Sequence, residues 1–408
     1  MLNRILMTSL FIAMPNLAFA ETFEFVVHPP KDTPKDARVF ASGDHAALGG
    51  WQADGLELKR DKDGLYRGRF EADRGARLEF KFTLGSWQTV EKNADGGEIA
   101  NRSIIVGEGG VDDEGRKYEF RVAKWAAAPE AGHVATVGRG AVKTSRTGDI
   151  RLHEKFHSKS LDNDRTLIVY LPSGYEAAKE ERYPVLYMHD GQNLFDAATS
   201  FIGVEWQADE TAGRLIAAKK IRPIIIVGIY NNAERTQEYT PTRDENRKAG
   251  GRGGAYMDFV VKEVKPFIDK TYRTWPGREE TGVAGSSLGG LISLHMAMEH
   301  ADVFSKCGVI SPALFWDDHH VLREIEKRGE SLDNTQIWLD MGTKEGSTLP
   351  QFDRALKDTR RLAKLLKKNG LREGEDFKYV EVEGAVHNEG AWAERFGEVL
   401  VFLYGVEE

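Results

Sequence analysis

The spacing of apolar side chains changes character partway along the chain. From Thr22 to about Val122, apolar and polar positions alternate in short runs: Phe23-Glu24-Phe25-Val26-Val27, Arg38-Val39-Phe40-Ala41, Leu56-Glu57-Leu58, Leu65-Tyr66-Arg67-Gly68-Arg69-Phe70, Leu78-Glu79-Phe80-Lys81-Phe82 and Tyr118-Glu119-Phe120-Arg121-Val122. Successive side chains of a strand point to opposite faces, so each run predicts a strand with one buried face. Asp63-Gly64 and Asp95-Gly96-Gly97 supply turns. Short strands at this spacing predict a small antiparallel β-sandwich over residues 21–122.

Residues 123–142, with Ala126-Ala127-Ala128-Pro129 and Gly138-Arg139-Gly140, carry no periodicity and read as a linker. From residue 143 to 408 strands alternate with helical stretches, which predicts an α/β unit with a mostly parallel sheet. Tyr183 to Met188, Ile224 to Ile229, Thr281 to Ala284, Lys306 to Ile310 and Ile337 to Met341 are near-continuous apolar runs, as strands covered on both faces require. Helical patterns fall at Trp206 to Ala218, Ala255 to Tyr272, Leu291 to Glu299, Gln351 to Lys368 and Glu389 to Leu403. His319 and His320 read as part of a polar loop after Trp316.

Composition adds three limits. The 56 basic and 64 acidic side chains give a formal net charge of -8, and no strongly basic run appears, so a nucleic-acid partner is not expected. The only cysteine, Cys307, excludes an intramolecular disulfide and reads as a buried structural thiol. Arg4, the apolar stretch Ile5 to Leu17 and the Ala18-Phe19-Ala20 ending match a secretory signal peptide over residues 1–20, so export to the periplasm or medium is expected; an uncleaved anchor is the alternative. No later stretch is long and apolar enough to span a bilayer.

The candidate chemistry centres on Gly285-Ser286-Ser287-Leu288-Gly289, between an apolar run and a helical one. A Gly-x-Ser-x-Gly turn joining strand to helix strains the serine backbone and lifts its hydroxyl clear of the sheet. Ser287 is thus the candidate nucleophile, and the Leu288 N–H a candidate oxyanion donor. In such hydrolases an acid and a histidine follow the serine along the chain. Glu345, in the loop after the strand Ile337 to Met341, is favoured as the acid over Asp340 inside that strand. His387 follows the next strand and precedes a helix, where an imidazole can take the serine proton and return it to the leaving oxygen. The second oxyanion donor is expected at the N–H of Gln192 in Tyr187-Met188-His189-Asp190-Gly191-Gln192-Asn193-Leu194-Phe195, with His189 and Asp190 shaping that turn.

Together with Gly342-Thr343-Lys344-Glu345 and Gly384-Ala385-Val386-His387-Asn388-Glu389-Gly390-Ala391-Trp392, these segments resemble the esterase family of α/β-hydrolases that includes feruloyl and acetylxylan esterases, enterochelin-type siderophore esterases, esterase D-like enzymes and mycolyltransferases. The resemblance implies a Ser-acid-His hydrolase with no metal or organic cofactor, and it implies that Trp316 borders the substrate pocket. Trp206 and Arg235 are further candidates there from their places at element ends; Arg235 has a structural ion pair with Glu238 as its alternative. The front unit resembles starch-binding-type carbohydrate modules through Leu48-Gly49-Gly50-Trp51, Glu79-Phe80-Lys81-Phe82 and Gly85-Ser86-Trp87. That likeness implies sugar contact through Trp51, Trp87 and Lys81; both tryptophans sealing a core is the alternative. The expected protein is an exported serine esterase acting on a small-molecule or polysaccharide ester, with feruloyl or acetyl groups on carbohydrate favoured. A siderophore esterase, an acyltransferase and a carbohydrate-binding protein with an inactive hydrolase scaffold remain as rivals.

Overall fold

The computed structural model describes residues 20–49, 53–86, 89–96, 99, 101–126, 144–200, 203–328, 332, 334–346 and 349–406. The signal sequence expected before residue 20, Trp51, Trp87 and most of the expected linker lie outside the described residues.

The alternating runs at the front form β1 (Glu21–His28), β2 (Val39–Gly43), β3 (Leu56–Arg60), β4 (Tyr66–Ala72), β5 (Arg77–Thr83), β6 (Arg102–Ile105) and β7 (Lys117–Arg121). They pair in the order β6-β5-β2-β3-β4-β1-β7, antiparallel throughout except for β1 with β7. The expected sandwich is therefore one curled sheet, and β3 is the reason. Its residues Leu56, Glu57 and Leu58 pair with β2, while Lys59 and Arg60 pair with β4, so one strand joins the two layers. Inside the curl the inward-pointing rings meet: Phe25 lies 4.6 Å from Phe70, 4.7 Å from Phe80 and 5.6 Å from Phe120. Each such buried ring stabilises the unit by about 1.5–3 kcal/mol. The unit also runs past Val122. Lys124 and Trp125 pair with Lys92 and Glu91, and the Trp125 indole N–H donates to Thr33 Oγ1 at 2.8 Å, so the linker starts later than the composition suggested.

The second sheet comprises β8 (Asp149–Ser158), β9 (Asn163–Leu171), β10 (Val185–His189), β11 (Ile225–Ile229), β12 (Thr281–Ser286), β13 (Lys306–Ile310), β14 (Gln336–Gly342) and β15 (Phe377–Val382), in the order β8-β9-β11-β10-β12-β13-β14-β15. β10 to β15 run parallel, and β8 and β9 are antiparallel to their neighbours. The helices are α1 (Ala208–Ala217), α2 (253–271), α3 (Leu288–Glu299), α4 (Trp316–Arg328), α5 (Leu349–Lys368) and α6 (Glu389–Tyr404). α2 to α5 bury their apolar faces against one side of the sheet, and α1 and α6 against the other. This is the α/β-hydrolase architecture. The chain steps from β10 outward to β11, then returns to β12 on β10's other side. Such a reversal opens a crevice at the C-terminal ends of the strands.

The expected polar loop after Trp316 is a short non-helical turn within α4. Asp317, Asp318 and His319 adopt left-handed angles (φ 46, 48 and 63°), but Val321, Leu322 and Ile325 just beyond them are buried at helical spacing. Cys307 is fully buried, and burial pushes its thiol pKa up. Among the described residues no helix is long and apolar enough to cross a membrane.

Candidate active site

β12 ends at Ser286 and α3 begins at Leu288, so Ser287 alone makes the turn. Its angles, φ 59° and ψ -123°, are ones an L-residue adopts at a cost of about 1–3 kcal/mol. Hydrogen bonds hold it there. The Ser287 N–H donates to Ile310 O at 3.1 Å, and its carbonyl accepts from Leu291 and Ala313 N–H, both at 3.0 Å. Gly285 and Gly290 are required by space, whereas a Cβ at Gly289 would make only ordinary contacts. A Cβ at Gly285 would sit 2.8 Å from the Gly289 carbonyl carbon and 2.9 Å from His189 Cδ2, and one at Gly290 would sit 2.9 Å from Ile310 O. The first N–H groups of α3, Leu288 among them, have no partner within the helix and face the crevice end of β12.

Glu345 lies just beyond β14 and is 4% exposed. Its Oε2 accepts from His387 Nδ1 at 2.7 Å. Its Oε1 accepts from Ser311 Oγ at 2.5 Å, Gly342 N–H at 2.7 Å and Arg395 Nη2 at 3.3 Å. Burial pushes the carboxyl pKa up, but the hydrogen bond and charge of His387, the Arg395 guanidinium and the Ser311 hydroxyl outweigh it and hold it below the ordinary glutamate value. With Nδ1 donating to the carboxylate, Nε2 of His387 carries the free lone pair. The His387 ring stands edge-on to Trp392 at 4.9 Å.

Asp340 sits beneath this pair and is fully buried. It accepts from Trp338 Nε1 at 2.6 Å and Ser311 N–H at 3.2 Å and pairs with Arg395 at 3.0 Å. Burial raises its pKa, against the pull of Arg395. The histidine therefore bonds Glu345, and Asp340 shares Arg395 with it from below. Sequence reasoning missed Ser311, Trp392 and Arg395, which orient Glu345; Trp392 Nε1 and Arg395 Nη2 both donate to Ser311 Oγ, at 3.0 and 2.5 Å. Ser287 Oγ hydrogen-bonds to no described residue. Bonds of that kind often tighten only when substrate binds.

The loop after β10 forms the other wall, since Met188 on β10 pairs with Ala284 on β12. Asp190 is left-handed (φ 57°), and a Cβ at Gly191 would sit 2.5 Å from the Gly228 carbonyl carbon. Asp190 binds the Arg235 guanidinium through both oxygens, at 2.7 Å each, and accepts from Asn231 Nδ2 at 2.6 Å. Burial alone would raise the Asp190 pKa; Arg235 outweighs it and keeps the carboxylate ionised. The main chain of Gln192 is fixed by Thr199 Oγ1, which donates to its carbonyl at 2.7 Å, and its side chain accepts from Asn231 N–H at 3.2 Å. His189 bonds Tyr256 OH at 2.8 Å, and burial lowers its pKa to about 4, so it stays neutral.

Several expected side chains are largely buried and engaged in structural contacts. Arg235 is committed to Asp190, and Glu238 pairs with the buried Arg165 instead. Trp316 is 4% exposed and gives its indole N–H to Thr242 O at 2.9 Å, while Trp206 is 3% exposed and packs against Trp392 and Phe396. Both support the rim from within, because a large ring at an element end is buried whenever the core has room for it. The exposed apolar side chains near the rim are Val204, Phe315 and Val386. Lys81 is 8% exposed and lies within electrostatic reach of Glu91 and of Glu389 in the second unit, rather than on an open face. Lys248 and Asp73 form an ion pair between the two units. A cavity of about 870 Å³ lies between α1, α6 and the strand β15, and its lining includes none of Ser287, Glu345 and His387.

Glu389 opens α6, two residues after His387, and its Oε1 accepts from Asn193 Nδ2 at 3.2 Å, tying the histidine loop to the Gln192 loop. Burial raises its pKa to about 7. A carboxyl whose folded pKa exceeds its unfolded value holds a proton that the unfolded chain has released, so stability falls as pH rises from about 4.3 to about 7, in total by on the order of 3 kcal/mol. Glu389→Gln keeps the acceptor for Asn193 and removes the charge. Its stability advantage over wild type in urea unfolding is expected to grow from about 1 kcal/mol at pH 5 to the full amount at pH 8; the same difference at both pH values would contradict a buried, titrating Glu389.

Residues 158–403 match the family described as "Putative esterase". The Bacillus subtilis (strain 168) protein YbbA, itself uncharacterized, is 25% identical over 248 residues, which span 59% of this chain and 93% of YbbA. The ferri-bacillibactin esterase BesA of the same organism is 26% identical over 183 residues, 41% of this chain and 60% of BesA. In fold, the Shigella flexneri enterobactin esterase FES, solved in the presence of enterobactin, matches with a TM-score of 0.52 at 15% identity over 94% of this chain and 92% of its own. The family match covers more than half of the chain and contains the elbow, Glu345 and His387; the chain belongs to this esterase family and is a carboxylic ester hydrolase.

Proposed function

We propose that the protein is an exported serine esterase that cleaves carboxylic esters through an acyl-enzyme on Ser287. The observation that carries this reading is the 2.7 Å bond from His387 Nδ1 to a buried, ionised Glu345, which leaves Nε2 free as a base at the edge where the strained Ser287 stands. His387 accepts the Ser287 proton as Oγ attacks the ester carbonyl and returns it to the departing alkoxide. The N–H groups of Gln192 and Leu288 receive the oxyanion. Water, activated by His387 in turn, releases the acid and restores the serine.

Feruloyl or acetyl groups on carbohydrate are the first reading of the substrate. A catecholate siderophore is the second, favoured by the likeness to BesA and by the FES match, which extends over the front unit as well. Export rests on the Ala18-Phe19-Ala20 ending. The purified protein is expected to react once with an aryl fluorophosphonate, with the added mass on the peptide containing Ser287. It is also expected to release free acid from a panel of feruloylated, acetylated and catecholate esters. Labelling on another residue would overturn the assignment. Acylated sugar in place of free acid would make the enzyme a transferase, and glycan capture with no turnover would make the domain a scaffold.

A further inference from the structure

Away from the esterase site, acidic side chains crowd the start of α1. Glu205, Asp209 and Glu210 each bring a carboxylate oxygen within 4.8 Å of the others. Glu205 and Asp209 are 5% and 1% exposed. Their outer oxygens are held by the segment that leads into β8. The Ser145 hydroxyl donates to Glu205 Oε1, and Thr147 donates to Asp209 Oδ2 through its N–H (2.6 Å) and its hydroxyl (3.0 Å). The remaining oxygens are a different matter. Glu205 Oε2, Asp209 Oδ1 and Glu210 Oε2 are all buried and accept no well-aligned hydrogen bond, and the Asp209 and Glu210 carboxyls lie within reach of each other. Among the described residues no basic side chain pairs with these three acids; Arg146 is engaged with Asp196 at 2.9 Å.

We propose that Glu205, Asp209 and Glu210 form a binding site for a hard divalent cation of the calcium type. Buried carboxylate oxygens without partners are costly, so something must satisfy them. One shared proton bridges two oxygens and leaves the third orphaned. Two oxygens on opposite sides of a calcium ion with ligands at about 2.4 Å stand about 4.8 Å apart, and the three carboxylates meet that limit pairwise, so one ion can draw on all three. An all-oxygen set without histidine or cysteine selects calcium over zinc or copper, and water completes its shell. The positive end of α1 opposes a cation, but its half charge is outweighed by three carboxylates.

The site would staple residues 145–147 to α1 and to the loop that leads from Gln192. That loop is already tied to the start of α1 by the bonds from Trp206 N–H to Asn193 O (2.9 Å) and Ala208 N–H to Leu194 O (3.0 Å). In the full chain, freed of metal by chelator, calcium titration is expected to give one binding event per chain and to raise Tm by at least about 3 °C at a hundredfold excess over Kd. The Asp209→Asn, Glu210→Gln double variant should lose both effects. Absence of binding and of the Tm rise in wild type overturns the proposal, as does a full response in the double variant. Should that variant not fold, terbium bound to the wild type should luminesce on tryptophan excitation, because Trp206 adjoins Glu205, and calcium should displace it. No sensitised emission, or emission that calcium leaves unchanged, also overturns the site. None of these readings depends on turnover.

Discussion

Ser287→Ala is expected to lower kcat on an activated aryl ester by about ten-thousand-fold or more, with KM within about threefold of wild type. The hydroxyl is the one group at the elbow that forms a bond to substrate, whereas binding is left to the pocket and the oxyanion N–H groups. The variant should fold normally. Alanine adds no atom at a backbone position held by bonds to Ile310, Leu291 and Ala313, and it removes a hydroxyl that bonds no described residue. Steady-state kinetics with circular dichroism of the same preparation decide it. A folded variant with a tenth or more of the wild-type kcat would remove Ser287 from the chemistry.

Arg395→Met should have the largest effect on stability, a loss of about 3–5 kcal/mol in urea unfolding at pH 7, because it leaves the buried Asp340 carboxylate without its cation. Its pH behaviour separates a role at Glu345 from one in packing alone. Glu345 has a lowered folded pKa, so its contribution is complete above the unfolded value near 4.3 and is lost as pH falls through the folded value. Asp340 has a raised pKa and works the other way: it costs stability at neutral pH and returns it on acidification. Removing Arg395 raises both pKa values. The acidic limb of kcat/KM is therefore expected to move to higher pH, while the stability deficit shrinks as pH falls from 7 toward 5. Arg395→Lys, which keeps the charge, should restore most of both. An unshifted acidic limb in a folded Arg395→Met variant would confine Arg395 to packing.

Arg395 also shows where the sequence stopped being readable. The elbow was legible because glycine and serine at fixed spacing have one steric explanation, and Glu345 because a carboxyl just past a strand end has few structural uses. The fold class followed from apolar runs whose lengths separate covered strands from alternating ones. Arg395 offered a fainter signal. It is a cation on the apolar face of α6, one residue before Phe396 and three after Trp392, and such a residue is buried only with an acid to meet it. Which acid depends on the pairing of β13 with β14, a long-range fact that no local pattern encodes. Trp206 and Trp316 pose the opposite difficulty, since an aromatic at an element end looks the same in sequence whether it faces substrate or core. The sandwich became a curled sheet because one strand, β3, changes partners between Leu58 and Lys59.

The position of α6 sets an order of events. Ser287, the Gln192 loop and Asp340 are all synthesised before Trp392 and Arg395, which seat the acid through Ser311 and by direct contact with Glu345. Until this helix docks, Glu345 and Asp340 lack their shared cation, and the acid is held by Ser311, Gly342 and His387 alone. The best-aligned form of the acid thus waits on the docking of one helix that lies far along the chain from the nucleophile.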